Sequence, residues 1–221
     1  LEPEGLLLPV NHKYQTWFHF INFITIIIAM NNNHNTNRTL NGKYRWLAEV
    51  GHGTYGKVYK AVSTDNENKF WALKKISCLN DDEGFPQTAL REIRLLKSLN
   101  HKNVIKLHDI ISTRPSKDNN YRGSTFLVFD YLEHDLWRLM QRRVKHTAAE
   151  IKCIMKQLIE GVNYLHSQKI IHRDLKTANI LVSNKGEVQI ADFGLARRLN
   201  SMSGNYTPGM VTIWYKIGRA H

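Results

Sequence analysis

The sequence predicts an α+β fold in which a small antiparallel sheet comes first and helices follow. From Tyr44 through Phe70–Ile76, short apolar runs alternate with turn-forming residues, a pattern that favours hairpin-linked strands over a βαβ unit. Further along, apolar residues recur at helical spacing. With 221 residues, 42% of them hydrophobic, the chain is long enough for one large domain or two small lobes.

Two helices and one later strand are predicted. Pro86 suits the first position of a helix, and one apolar stripe follows at helical spacing, formed by Ala89, Ile93 and Leu96. After Lys106 the chain returns to strands, of which Thr125–Tyr131 is the clearest. Thr147 and Glu150 form a capping box, which predicts the start of a second helix. Its periodic apolar residues are Ile151, Ile154, Met155, Leu158, Val162 and Leu165.

Charge and cysteine content exclude several classes of protein. The formal net charge is +12, but the basic residues are dispersed and only Arg138–Lys145 forms a modest cluster, so no direct nucleic-acid partner is expected. Cys78 and Cys153 lie far apart, which predicts neither a disulfide framework nor a zinc site. A reducing intracellular compartment is expected.

Residues 1–43 are predicted to be a leader outside the folded domain. Its apolar stretch, Phe18–Met30, is shorter than the roughly 20 residues that span a bilayer, so no membrane partner is expected. A signal peptide and a membrane tether formed by residues 17–30 are the less favoured alternatives. We expect residues 1–29 to be translated upstream sequence, Met30 to be the start, and Asn31–Arg38 to be disordered.

Three glycines at Gly51, Gly53 and Gly56 form a G-x-G-x-x-G motif. The motif alone is weak evidence, because dinucleotide-binding folds use the same spacing. Those folds require a helix directly after the glycines, whereas Val58–Val62 continues as a strand. The pattern therefore favours a glycine-rich hairpin whose backbone N–H groups can approach phosphate oxygens.

A lysine and a glutamate are predicted to form an ion pair. Lys74 and Lys75 point to opposite faces of a strand, so only one of them can point inward. Glu92 lies beside the apolar stripe of the first helix, where an unpaired carboxylate would be costly. Lys74 is the candidate partner of Glu92.

A more specific constellation follows, with His172-Arg173-Asp174-Leu175-Lys176 and Asn179 preceding Asp192-Phe193-Gly194. With the glycine motif, Lys74 and Glu92, this order resembles the protein kinase catalytic domain. The resemblance implies a two-lobed fold with an antiparallel-sheet N-lobe and a mainly helical C-lobe, and it implies ATP and Mg²⁺ as cofactors. The implied catalytic residues are Asp174 as base, Lys176 at the transferring phosphoryl group, and Lys74 paired with Glu92 at the α- and β-phosphates; Asn179 and Asp192 would bind magnesium.

Two segments indicate which family of protein kinases the chain resembles. Pro86–Glu92 is similar to the cyclin-contacting helix of cyclin-dependent kinases, and Gly123–Asp135 resembles their transcription-elongation branch. Lys176, two residues after Asp174, is typical of Ser/Thr kinases. The resemblance implies a cyclin partner, protein substrates with Ser or Thr followed by Pro, the RNA polymerase II C-terminal repeat as target, and a location in the nucleus.

The same resemblance assigns nucleotide-binding and regulatory residues. Phe129 would be the gatekeeper, Asp130 and Leu132 would offer backbone to adenine, and Asp135 would meet the ribose. The purine slot would be lined by Val50, Val58, Ala72, Leu181 and Ala191, although core packing is an equally open interpretation of each. Thr207 would be phosphorylated by an activating kinase and bound by Arg91, Arg173 and Arg197, and Thr54 and Tyr55 would be inhibitory phosphorylation sites.

The resemblance also implies where the two lobes of the domain begin and end. Residues 44–132 would form the N-lobe and hinge and 133–215 part of the C-lobe, and Lys216–His221 matches the translation of a common sequencing adapter. We expect a C-terminally truncated domain that is inactive by itself. The alternatives are a noncatalytic cyclin-binding fragment and another cyclin-dependent or mitogen-activated kinase branch.

Overall fold

The computed structural model describes residues 39–53, 56–76, 85–113 and 123–199. These residues form two compact units, one from 39–75 and 110–131 and the other from 76–109 and 132–199. The predicted first lobe, 44–132, includes residues 76–109, which group with the second unit in the structure, and the lobe boundaries stay a prediction. Within the second unit, the carbonyl of Asn103 accepts a hydrogen bond from Ile190 N, 2.9 Å away.

A six-stranded sheet dominates the first unit, with strand order β1-β2-β3-β4-β6-β5. The strands are β1 (Thr39–Leu40), β2 (Tyr44–Gly53), β3 (Gly56–Ser63), β4 (Phe70–Ile76), β5 (Leu107–Ser112) and β6 (Thr125–Asp130). Consecutive strands β1 to β4 pair antiparallel, which agrees with the hairpins predicted from the turn signals. The folded region begins earlier than the predicted Tyr44, because Leu40 is buried in the core and pairs with Tyr44.

A buried apolar cluster packs against the sheet of this unit. Leu73 and Val128 are fully buried there, and Phe126 is 2% exposed. The ring of Trp46 packs edge-on against Phe126 with centroids 5.5 Å apart and lies 4.4 Å from the ring of Tyr59. Such aromatic pairs stabilise a sheet beyond the area that they bury.

The first helix of the second unit, α1 (Gln87–Ser98), begins one residue later than predicted. Pro86 takes the N-cap position with an extended backbone, and its carbonyl accepts a hydrogen bond from Leu90 N at 3.1 Å. Ala89, Ile93 and Leu96 are buried, which confirms the predicted stripe. Glu92 is buried on the same side of the helix.

Two further helices are α2 (Leu136–Gln141) and α3 (Ala148–Ser167). The capping box of α3 is confirmed, because Glu150 N donates to Thr147 Oγ1 and Thr147 N donates to Glu150 Oε2. Not every periodic apolar residue of α3 is buried, since Ile151 and Met155 are 50% and 46% exposed. Among the helices of the described residues, none has the length and apolar character needed to cross a membrane.

Short strands position the loops of the second unit. They are β7 (His134–Asp135), β8 (Ile170–Ile171), β9 (Ile180–Val182), β10 (Val188–Ile190) and β11 (Arg197–Arg198). Strands β10, β9 and β7 form one sheet and β11 pairs with β8. A 3₁₀ turn, Thr177–Asn179, precedes β9. The loop after β8 and the loop after β10 contain the residues predicted to carry the chemistry.

Candidate active site

The loop between β8 and β9 brings Asp174, Lys176 and Asn179 together. Lys176 Nζ lies 2.8 Å from Asp174 Oδ2, and Asn179 Nδ2 donates to the same oxygen at 3.0 Å. The second hydrogen of that amide goes to the backbone carbonyl of Asp174 at 2.8 Å. Asp174 is only 6% exposed, so solvent screens its attraction to Lys176 weakly. Two donors therefore fix the orientation of one buried carboxylate.

The backbone of this loop is held in an uncommon conformation. Arg173 has φ of +68°, in the left-handed region that residues other than glycine rarely enter. Its Nε donates to the carbonyl of Leu195 at 2.7 Å, which ties the loop to the segment that follows β10. Such strain persists only where surrounding contacts stabilise it, as they do here.

His172 joins the same two segments from the buried side. Its Nε2 lies 3.0 Å from the carbonyl of Ala191, and its Nδ1 accepts a hydrogen bond from Asp174 N at 3.3 Å. The ring packs edge-on against Phe193 with centroids 4.9 Å apart. These partners fit a neutral imidazole with hydrogen on Nε2. Burial accordingly lowers the pKa of His172, although its hydrogen bond to Ala191 opposes the shift.

The lowered pKa of His172 predicts a loss of stability in acid. Because the folded state disfavours the imidazolium, the unfolded chain binds more protons once the pH falls below the ordinary histidine pKa of about 6.5. We expect the urea midpoint of the chain to fall between pH 7.5 and 5.5, and to fall less in His172→Gln, which keeps a donor and an acceptor. An equal fall in both would show that other groups cause the pH dependence.

Asp192 follows β10 directly and also has a left-handed backbone, with φ of +62°. Ala191 N donates to the carbonyl of Asn179 at 2.9 Å, so adjacent backbone segments carry the two predicted metal ligands. The Asn179 amide nitrogen donates to Asp174, so Oδ1 is the Asn179 atom that would bind a cation. One carboxylate and one amide oxygen suit Mg²⁺, which takes few protein ligands and completes its shell with phosphates and water. Within the described residues no group of three or more His, Cys, Asp or Glu side chains forms a metal site.

A polar junction fixes β10 and hence the position of Asp192. Gln157 of α3 accepts hydrogen bonds from Val188 N at 3.0 Å and from Asn103 Nδ2 at 3.1 Å. Asn103 Nδ2 also donates to the carbonyl of Val188 at 2.8 Å. Asn103 is 2% exposed, so these bonds are shielded from water. The helix, the loop after α1 and β10 are therefore joined at one point.

Gly161 of α3 packs against this junction, and we expect Gly161→Ala to destabilise the chain. A Cβ there would lie 2.9 Å from the carbonyl oxygen of Asn103 and 2.9 Å from Ile190 Cδ1. Overpacking of this kind costs about 1–3 kcal/mol, more than the roughly 0.5–1 kcal/mol that alanine gains over glycine in a helix. Urea unfolding of the chain and the variant measures the difference. A variant that unfolds at a higher urea concentration would show that the residues around Gly161 move to accommodate the Cβ without loss of stability.

The glycine motif of the first unit forms a hairpin, as predicted. Gly51 pairs with Val58 and Gly53 with Gly56 between β2 and β3, so a strand and not a helix follows the glycines. Gly56 has φ of +139°, which glycine adopts readily. A Cβ at Gly51 would meet no atom within 4 Å, so packing within the protein does not require glycine there. The open space allows a ligand to approach the backbone.

The remaining nucleotide-site residues divide between the two units. Val50, Val58, Ala72, Lys74, Phe129 and Asp130 belong to the first, and Glu92, Leu132, Asp135, Leu181 and Ala191 to the second. Lys74 pairs in register with Val58 on β3. Asp135 also has a structural role, because its Oδ1 accepts a hydrogen bond from Arg138 N at 2.8 Å at the start of α2. The ion pair of Lys74 with Glu92 and the purine slot stay predictions.

The regulatory residues are only partly described. Arg91 is exposed on α1, and Arg173 lies in the loop between β8 and β9, where its Nε donates to the carbonyl of Leu195. Arg197 of β11 pairs with Ile171 of β8. Thr54, Tyr55 and Thr207 lie outside the described residues. Phosphate binding by the three arginines therefore stays a prediction.

Sequence reasoning missed the structural roles of His172, Asn103 and Gln157. The sequence did contain a signal for Gln157, a polar residue between Ile154 and Gly161 on a helix with apolar periodicity. Asn103 gave a weaker signal as a polar residue just before Val104 and Ile105, both buried. A buried amide needs partners, but its partners 54 and 85 residues away cannot be found by local reasoning.

Comparison with known families decides which of these interpretations holds. Residues 44–217 match the protein kinase domain. The chain belongs to the protein kinase family. The glycine hairpin, the Asp174 loop and the Asp192 segment all lie within this match.

Several curated proteins similar to this chain are cyclin-dependent kinases, as the Pro86–Glu92 motif predicted. The chain is 47% identical over 179 residues to cyclin-dependent kinase 9 of Homo sapiens, covering 79% of this chain and 48% of that protein. It is 44% identical over 181 residues to cyclin-dependent kinase C-2 of Oryza sativa subsp. japonica, covering 77% of this chain and 35% of that protein. The chain thus spans about a third to a half of the length of these relatives.

Proposed function

We propose that the whole protein is a cyclin-dependent Ser/Thr kinase that transfers the γ-phosphoryl group of ATP to protein hydroxyl groups. The observation that carries the proposal is the buried carboxylate of Asp174, oriented by Lys176 and Asn179. Phosphoryl transfer depends on positioning and on neutralising phosphate charge more than on covalent catalysis. A fixed carboxylate, a cation beside it and oxygen ligands for a metal meet these needs.

Each residue of the loop has a separate part in the reaction. Asp174 orients the acceptor hydroxyl and takes its proton. Lys176 Nζ, 2.8 Å from that carboxylate, places positive charge where the transferred group passes. Asn179 and Asp192 would hold Mg²⁺, which when bound neutralises charge on the phosphate oxygens. His172 and Arg173 keep the two backbone segments in place.

The cyclin would bind on α1. Its inner side is buried through Ala89 and Leu96, whereas Gln87, Thr88 and Arg91 are exposed on the outer side. The relatives with 44–47% identity are named as cyclin-dependent kinases, which supports the same dependence here. By the same likeness we propose Ser or Thr followed by Pro as the target, the RNA polymerase II C-terminal repeat as the substrate, and the nucleus as the location.

An activating kinase would phosphorylate Thr207. The phosphate would be bound by Arg91, Arg173 and Arg197, and because it carries about −2 charge it would attract several arginines at once. Mass spectrometry of the protein from its native source tests this directly. Thr207 phosphopeptides in the cyclin-bound fraction support the proposal, and their absence from an active fraction contradicts it.

Substrate preference is tested with the protein co-expressed with a cyclin of the transcription-elongation class. Two heptad-repeat peptides that differ only by Ser-Pro against Ser-Ala are incubated with ATP and Mg²⁺. We expect the Ser-Pro peptide to be phosphorylated at least about 10-fold faster in kcat/KM, a discrimination of about 1.4 kcal/mol. Equal rates would reject the proline preference. A complex that binds cyclin and phosphorylates neither peptide would instead support a noncatalytic cyclin-binding role.

A further inference from the structure

A charged and apolar surface on α2 and the turn after it has no part in the proposed reaction. Between Leu136 and Ala149 the chain contains four Arg or Lys residues and no Asp or Glu. Trp137 is 49% exposed and Met140 is 62% exposed, and their three-residue spacing places them on one side of the helix. The basic residues Arg138, Arg142, Arg143 and Lys145 are exposed beside them.

Carboxylates at both ends of this stretch are already engaged. Asp135 accepts a hydrogen bond from Arg138 N and lies 3.4 Å from Arg138 Nε. Glu150 accepts hydrogen bonds from the backbone and hydroxyl of Thr147, and the backbone bond holds the pKa of Glu150 below its usual range. Among the described residues, Arg142, Arg143 and Lys145 form no ion pair. Their charge is therefore presented to solvent.

We propose that this α2 surface, formed by Trp137, Met140, Arg142, Arg143 and Lys145, docks an acidic segment of a partner protein that carries an apolar anchor residue. These exposed cations, which form no ion pair among the described residues, would be complemented by a negatively charged partner. The apolar pair favours a protein over a nucleic acid, because exposed Trp, Met and Arg side chains together are typical of protein interfaces and their hot spots. Docking needs neither ATP nor the catalytic residues.

The test measures binding of fluorescein-labelled peptides of about 16 residues to the full chain by anisotropy, without nucleotide. One peptide is rich in Glu and Asp with two leucines three residues apart, a second replaces every Glu and Asp by Gln and Asn, and a third replaces the leucines by serine. We expect the first to bind most tightly and its affinity to fall as salt rises, because the attraction is between exposed charges.

Variants locate the surface. Arg142→Glu with Lys145→Glu should raise the Kd of the acidic peptide about 10-fold or more, and Trp137→Ser should do the same without changing net charge. Lys97→Glu with Lys185→Glu, two exposed positions on α1 and on the β9–β10 turn, is the control with the same charge change and should leave the Kd within about 2-fold. Circular dichroism melting checks that the variants fold, as exposed substitutions should.

Three results would overturn the proposal. They are an unchanged Kd in Arg142→Glu with Lys145→Glu, an equal loss in the control pair, which would indicate attraction by net charge alone, and binding of the leucine-free peptide as tight as that of the first. A labelled oligothymidine that binds more tightly than the acidic peptide and depends on the same residues would assign the surface to nucleic acid. Because no nucleotide is present, these outcomes are independent of whether the protein transfers phosphate.

Discussion

Replacing Asp174 by asparagine is expected to reduce phosphoryl transfer by about 10³-fold or more while leaving the fold intact. The amide oxygen of asparagine can still accept hydrogen bonds from Lys176 Nζ and Asn179 Nδ2, which bond the carboxylate at 2.8 and 3.0 Å. What it cannot do is take the proton of the acceptor hydroxyl, and general base catalysis contributes about 10²–10⁴-fold. The kcat of the cyclin-bound protein on a Ser-Pro peptide measures the loss.

Two controls separate lost chemistry from lost structure. Asp65→Asn makes the same change at an exposed position and should keep wild-type kcat. The affinity of Asp174→Asn for Mg²⁺·ATP, measured by calorimetry, should stay within a few-fold of wild type. A variant with wild-type kcat would remove Asp174 from the mechanism, whereas one that no longer binds nucleotide would show that its role is structural.

Replacing Asp192 by asparagine is expected to lower kcat/KM by about 10²-fold or more and to raise the magnesium concentration that half-saturates the rate. A metal ion on the phosphates supplies several kcal/mol of charge stabilisation, and a neutral amide holds it less well than a carboxylate. Asparagine is the right replacement because it tolerates the left-handed backbone that Asp192 adopts at φ of +62°.

Metal binding can be followed apart from turnover. Mn²⁺ in the presence of ATP reports binding by electron paramagnetic resonance, and we expect Asp192→Asn to weaken it while Asp65→Asn does not. A variant that binds Mn²⁺·ATP like the wild type and is nevertheless slow would show that Asp192 acts on the chemistry and not as a metal ligand.

Local features of the fold could be predicted from sequence because their partners are close in the chain. The capping box of Thr147 with Glu150 spans three residues, and the hairpin of Gly51 with Val58 spans seven. The buried stripe of α1 follows from its period alone. Asp174, Lys176 and Asn179 also lie within one short loop, so their meeting could be foreseen from the motif.

Other features depend on contacts between distant segments. Asn103 lies among residues 76–109 of the second unit, and its partners Gln157 and Val188 lie far along the chain. Periodicity also could not reveal that Ile151 and Met155 would be half exposed, because it identifies an apolar face but not what covers that face. The positive φ at Arg173 has no signature in residue type.

We propose that Asp174 and its neighbours catalyse transfer of phosphate from ATP to a protein hydroxyl. The most direct measurement incubates the cyclin-bound protein with γ-³²P-labelled ATP, Mg²⁺ and a Ser-containing substrate, followed by phosphoamino-acid analysis. We expect label in phosphoserine that disappears when magnesium is chelated and in Asp174→Asn. Absence of label from a complex that binds both cyclin and ATP, or label that persists undiminished in Asp174→Asn, would contradict it.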